Sequence, residues 1–197
     1  MNYRFVSFRN LIALGFVLLT SGVLLLAYSA SAQVTNAYTS PNGYVIFGPT
    51  GWNIYQSEYN TLSGEKEERV IVTQDTDITS RTTKYVAVYS GSSQAVFGLR
   101  KAVLDQITKD ELVDFYIDQA KNSHIDYHVT KTITKGEGNS KVYVIEANFA
   151  VPGHRAFTTT LISFKGDTAY FRQSFYLGSF SNYAQILQGV LDGVIFQ

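Results

Sequence analysis

The sequence predicts an α+β domain, an antiparallel β-sheet with flanking helices, preceded by an N-terminal apolar signal helix. Three observations predict it. Residues 11–28, LIALGFVLLTSGVLLLAY, run without a single charge. Four strand-like segments between residues 127 and 177 follow one another through links short enough only for antiparallel neighbours. Two segments, near 109–122 and 181–193, carry apolar residues at helical spacing and can lie over that sheet.

The N-terminal segment comes first. Its opening ten residues hold Arg4 and Arg9 and no acidic side chain, and the apolar run ends at Ser29-Ala30-Ser31-Ala32. A basic start, an apolar middle and an A-x-A exit make a secretory signal, with Ala30 and Ala32 as the small residues and the cut before Gln33. An uncleaved anchor is the alternative, since the run 11–28 sits at the lower limit for crossing a hydrocarbon core of roughly 30 Å. In either case the arginines hold the N-terminus inside and the domain faces outward. The expected division is a signal peptide or anchor over 1–32 and one domain over 33–197. Membrane contact through residues 11–28 follows only if the signal stays uncleaved. The chain has no cysteine to carry a lipid anchor.

Composition narrows the function classes. Sixteen basic and sixteen acidic residues balance, and removing Arg4 and Arg9 leaves the remainder slightly acidic. Without a basic stripe, nucleic acid is not an expected partner. The absence of cysteine excludes disulfides, thiolate catalysis and Cys-ligated zinc. Fourteen tyrosines, thirteen phenylalanines and only three prolines favour a sheet-rich fold.

Along the domain, Gln33 to Ser40 reads as a polar leader. Tyr44–Phe47 is a strand bracketed by Pro41-Asn42-Gly43 and Gly48-Pro49-Thr50-Gly51, and Trp52–Tyr55 is a short second one. The charged stretch Gly64–Arg69 reads as a solvated turn leading into a strand over Val70–Val72. A polar loop over Asp75–Thr83 precedes a strand over Tyr85–Tyr89, and Ser90-Gly91-Ser92-Ser93 reads as flexible. A helix over Lys109–Asn122 has Thr108 and Glu111 at capping-box spacing, with Leu112, Phe115 and Tyr116 on its apolar stripe. The meander follows: Tyr127–Thr134, Lys141–Val151, Ala156–Phe164 and Ala169–Leu177, with Gly166-Asp167 as a hairpin signal. The closing helix, Ser181–Gly193, is capped by Ser179 or Ser181 and presents Tyr183, Ile186, Leu187, Val190 and Leu191 to the sheet.

Residues that could carry chemistry are few. His124 and His128 stand four apart, a spacing that shares a metal only within one helix. Lys121-Asn122-Ser123 ends the helix, so solvated histidines are expected, and these two remain the candidates if a metal site exists. His154 sits beside Arg155 in a turn. Asp75-Thr76-Asp77 lacks the glycine and distal glutamate of a calcium loop. No nucleophile elbow and no phosphate-cradling glycine loop occurs, so no catalytic residue and no cofactor is expected. Trp52 reads as a core anchor beneath its turn in preference to a ligand-stacking ring.

The segment Gly43-Tyr-Val-Ile-Phe-Gly-Pro49-Thr-Gly-Trp52 resembles the G-x-x-x-x-x-P-x-x-W opening of PsbP-like domains, named after the extrinsic PsbP subunit of photosystem II. The order of mid-chain helix, meander and closing helix is similar as well. The resemblance implies an α/β/α sandwich and an exported, non-catalytic accessory or binding protein on the outer face of the cytoplasmic membrane. A protein partner or membrane complex is the expected binding target. No motif here matches metal ligands of photosynthetic members. The alternative is a secreted enzyme or metal-binding protein using His124, His128 and nearby carboxylates.

Overall fold

The computed structural model describes residues 31–33, 37–61, 64–76, 78 and 83–197. Of the signal or anchor expected over 1–32, residues 1–30, Ala30 included, lie outside them, as does Asp77. Lys84–Ser92, KYVAVYSGS, is buried at every position but its last. A strand can be apolar on both sides only if its sheet is covered on both faces, and that is the arrangement found.

The chain runs β1 (Ser31–Gln33), β2 (Ala37–Ser40), β3 (Tyr44–Phe47), β4 (Asn53–Asn60), β5 (Lys66–Thr73) and β6 (Lys84–Ser92). Helices α1 (Ser93–Phe97), α2 (Lys101–Leu104) and α3 (Lys109–Ser123) come next. The meander is β7 (Ile125–Lys135), β8 (Val142–Val151), β9 (His154–Lys165) and β10 (Thr168–Leu177), followed by α4 (Ala184–Asp192) and β11 (Ile195–Phe196). Eight strands form one antiparallel sheet in the order β1-β4-β5-β6-β10-β9-β8-β7, and β11-β3-β2 form a small second sheet.

Period-two alternation divides the core. Ile71, Tyr85, Ala87, Tyr89, Ile145, Ile162 and Phe171 face one side, where Val96 and Phe97 of α1 and Leu112, Val113, Tyr116 and Ile117 of α3 cover them. Val70, Val72, Val86, Val88, Val144, Leu161 and Tyr170 face the other side, under Tyr44 and Ile46 of β3 and Leu187, Val190 and Leu191 of α4. The result is an α+β fold with the main sheet in the middle and a covering layer on each face.

Locally encoded features form as the sequence predicts. Thr108 caps α3 in a full capping box, its Oγ1 accepting from the Glu111 N–H at 3.2 Å while Glu111 Oε2 accepts from the Thr108 N–H at 2.6 Å. Gly166 sits at φ 58 in the two-residue turn joining β9 to β10. The turn before β9 is also two residues, Pro152-Gly153, with Gly153 at φ 76, so β9 begins at His154 and not at Ala156.

Other expectations are corrected. Strand structure occurs in the expected polar leader, Gln33 to Ser40: Gln33 ends β1 (Ser31–Gln33) and Ala37–Ser40 form β2, so β1 includes both Ala32 and Gln33 at the expected cleavage junction. Lys66 to Arg69 belong to β5, because their partners on β4 and β6 extend the ladder past the apolar part. Ser90-Gly91-Ser92 completes β6, and Ser92 is the N-cap of α1, its Oγ accepting from the Ala95 N–H at 3.1 Å. The closing helix starts at Ala184, after a 3-10 turn over Gly178–Tyr183, with no side chain capping it. Ile186, placed on its buried stripe, is 44% exposed because the contact face follows Leu187, Val190 and Leu191.

Candidate functional site

The residues of the opening motif are architectural. Gly43, at φ 80, closes the β2–β3 turn by donating its N–H to the Ser40 carbonyl at 3.1 Å. Pro49 accepts from the Trp52 N–H at 3.0 Å across the next turn. Trp52 is buried in the second core cluster with its ring 6.2 Å from that of Tyr183. It anchors the core, so the ligand-stacking reading does not hold.

The most concentrated polar arrangement is one that the sequence reading missed. Glu68 of β5 is buried, and its carboxylate accepts from Tyr38 Oη at 2.7 Å, Tyr44 Oη at 2.8 Å, Gln56 Nε2 at 3.3 Å and Ser40 Oγ. Burial, reinforced by the Glu68 charge, pushes both tyrosine hydroxyls well above their ordinary range and keeps them protonated donors. Alongside, Asn42 donates from Nδ2 to Ser90 Oγ at 2.9 Å and accepts at its carbonyl from Tyr170 Oη at 2.9 Å. These bonds fasten the small sheet to β5, β6 and β10. With its oxygens occupied by four donors, Glu68 is a pin and not a free base. Its alternation with Val70 and Val72 is the signal that could have found it.

Other charged groups are also tied into the scaffold. Lys84, buried, pairs with Asp75 Oδ1 at 3.2 Å and lies 4.9 and 4.8 Å from the ring centres of Phe180 and Tyr183. Asp75 Oδ2 accepts from the Thr83 N–H at 2.9 Å, so Asp75 is a loop-stapling residue. Arg172 is buried on β10, stacked 5.1 Å from the Phe196 ring, with its Nε unbonded, and burial lowers its pKa.

The two candidate histidines have separate surroundings. His124 is half-buried, correcting its expected solvation. Its Nδ1 lies 2.9 Å from the Ala120 carbonyl and its ring 4.1 Å from that of Phe149. Burial holds its pKa below the ordinary histidine value, against the opposing pull of that carbonyl. His128 is exposed on β7, with Nε2 2.7 Å from Asp126 Oδ1. Asp126, at φ 54, also receives Arg155 Nη1, and these two bonds, Arg155 first, hold its carboxyl below the usual range. His154, expected in a turn, is instead the first residue of β9, where it pairs with Val151 and is exposed. Among the described residues no group of three or more His, Asp or Glu is arranged to hold a metal.

An open cleft of about 270 Å³ lies between the start of α1, α2, the first turn of α3 and the β9–β10 turn. Phe164 and Leu112 are its buried apolar lining, with Leu104 and Ile107 half-buried beside them. Lys101, Asp105, Lys109 and Asp167 bring charge to it.

No protein-family model and no curated protein matches the chain. Among solved structures, the chain is similar to cyanobacterial PsbP (CyanoP) from Synechocystis sp. PCC 6803, at 10% identity and a TM-score of 0.55, over 87% of this chain and 95% of that one. A Pseudomonas aeruginosa protein of unknown function, PA94, matches at 8% identity and a TM-score of 0.47, over 82% of this chain and 96% of that one. At these identities, the likeness to cyanobacterial PsbP is one of fold: the chain carries the PsbP-like architecture that its opening motif and element order led one to expect.

Proposed function

We propose that this chain is an exported accessory or binding protein that engages a protein partner or membrane complex at the outer face of the cytoplasmic membrane and performs no chemistry of its own. The observation that carries the reading is the PsbP-like fold, matched over 87% of the chain. It is supported by the basic–apolar–small pattern of residues 1–32, which reads as an export signal. The roles of Glu68, Asp75 and Lys84 in tying strands and loops together are also in keeping with a structural scaffold.

Cross-linking in native membranes followed by affinity isolation tests the binding role. A defined stoichiometric partner is expected, and a chain that stays alone under those conditions overturns the reading. Intact mass of the protein recovered from its own cells tests export separately. A species beginning at Gln33 means cleavage and release, and one retaining Met1 at the membrane means an anchor. Recovery from the cytoplasm overturns the location.

A further inference from the structure

The cleft beside α3 is bordered by two charges that take no direct ion-pair partner among the described residues. Lys109 is the first residue of α3, where the positive end of the helix dipole disfavours a cation. Its acidic neighbours are engaged elsewhere: Asp110 takes Lys141 at 2.7 Å and Glu111 takes Thr108. Among the described residues Lys109 has no carboxylate within ion-pair distance, and its ammonium is held 5.2 Å from the centre of the Phe164 ring. Asp167, in the β9–β10 turn, is anchored through its backbone carbonyl, which accepts from the Ser93 N–H at 2.7 Å. Its carboxylate makes no hydrogen bond or ion pair among the described residues. Of the remaining charges of the cleft, Lys101 pairs with Asp105 at 2.9 Å and also lies near enough to feel the Asp167 charge, without a direct ion pair to it.

Among the described residues, one cation and one anion without a direct ion-pair partner therefore border an apolar lining made by Phe164, Leu112, Leu104 and Ile107. A purely anionic ligand would leave Asp167 opposed, and a purely cationic one would leave Lys109 opposed. A molecule carrying both charges next to an apolar group meets every feature. We propose that this cleft binds a small zwitterion of the amino-acid class with an apolar side chain. Its carboxylate rests on Lys109, its ammonium on Asp167, and its side chain against Phe164 and Leu112. The site stands apart from the partner-binding reading, because it needs neither export nor a macromolecular partner.

Titration of the isotope-labelled full-length protein, followed by NMR, tests this with three probes. L-phenylalanine carries both charges, 3-phenylpropionate lacks the ammonium, and phenethylamine lacks the carboxylate. The expected result is saturable shifts confined to residues lining the cleft, with each half-probe bound roughly tenfold or more weakly than L-phenylalanine. Asp167→Asn should weaken L-phenylalanine about tenfold without weakening 3-phenylpropionate, while Lys109→Gln should weaken L-phenylalanine without weakening phenethylamine. Both side chains are exposed, and unchanged spectra away from the cleft verify that the variants fold. Absent shifts, shifts scattered over the surface, or equal binding of all three probes would overturn the proposal.

Discussion

Replacing Glu68 with alanine removes the one acceptor shared by four donors from three other strands. Two of those donors, on Ser40 and Tyr44, are buried at 3% and 0% exposure, so water cannot take over without opening the layer between the sheets. A buried donor stripped of its acceptor costs about 1–3 kcal/mol. Relief from holding a carboxylate out of water returns part of that, which places the net loss at about 3 kcal/mol. Glu68→Gln keeps the shape and one acceptor oxygen and should cost about 1 kcal/mol. Glu58, exposed and paired with Lys66 at 3.2 Å, is the matched control, with an expected loss below about 0.5 kcal/mol on replacement by alanine. Urea unfolding followed by Trp52 fluorescence measures all three, because the single tryptophan lies in the same core cluster as Tyr44. If Glu68→Ala unfolds within about 0.5 kcal/mol of the parent, comparable to an exposed surface pair, the pin reading is wrong.

Two further outcomes follow from local geometry. A Cβ on Gly91 would stand 2.7 Å from Glu67 Cδ, so Gly91→Ala must displace Glu67 and its bond from the Ser92 N–H, at a cost of about 1–2 kcal/mol. Adding Glu67→Ala should restore most of the loss, and a double variant no more stable than Gly91→Ala would place the strain elsewhere. Burial lowers the pKa of His124 in the folded chain, so the unfolded chain binds the proton more readily. The contribution of neutral His124 is therefore complete above about pH 6.5 and is lost as the pH falls through its lower folded value. Stability profiles of the parent and His124→Asn should converge as the pH drops below that point, and parallel profiles would refute the assignment.

What could be read from the sequence is what neighbouring residues encode. The α3 capping box, the Gly166-Asp167 turn and the meander each need only a few consecutive residues to specify them, and each formed. The beginning of β5 was hidden because Lys66-Glu67-Glu68-Arg69 has the composition of a solvated turn, and its place in the ladder depends on β4 and β6. The partners of Glu68 at positions 38, 40 and 44 lie 24 to 30 residues away, so no window of local pattern contains them. Ser90-Gly91-Ser92-Ser93 suggested flexibility, yet Gly91 is buried, with the Glu67 side chain where its own would stand, and Ser92 starts a helix. The cleft draws on α1, α2, α3 and the β9–β10 turn, so only the folded chain brings Lys109 and Asp167 to one opening.

The two faces of the main sheet are closed by different physics. On one, the fifteen-residue α3 carries its own hydrogen bonds and needs only its apolar stripe to dock. On the other, β2 and β3 are four residues each and β11 only two, too few for their own ladder to hold them in place. An apolar residue at position 68 would bury as well as Val70 but would leave the hydroxyls of Tyr38, Ser40 and Tyr44 without that acceptor. It would also accept β2 in more than one register, since apolar contact has no direction. A carboxylate bonded to Tyr38 and Ser40, two residues apart on β2, fits one register only, because a shift by one residue turns both side chains to the opposite face. That is a physical reason for a buried carboxylate here: it specifies where the short strands sit, a task the small sheet is too small to perform by itself.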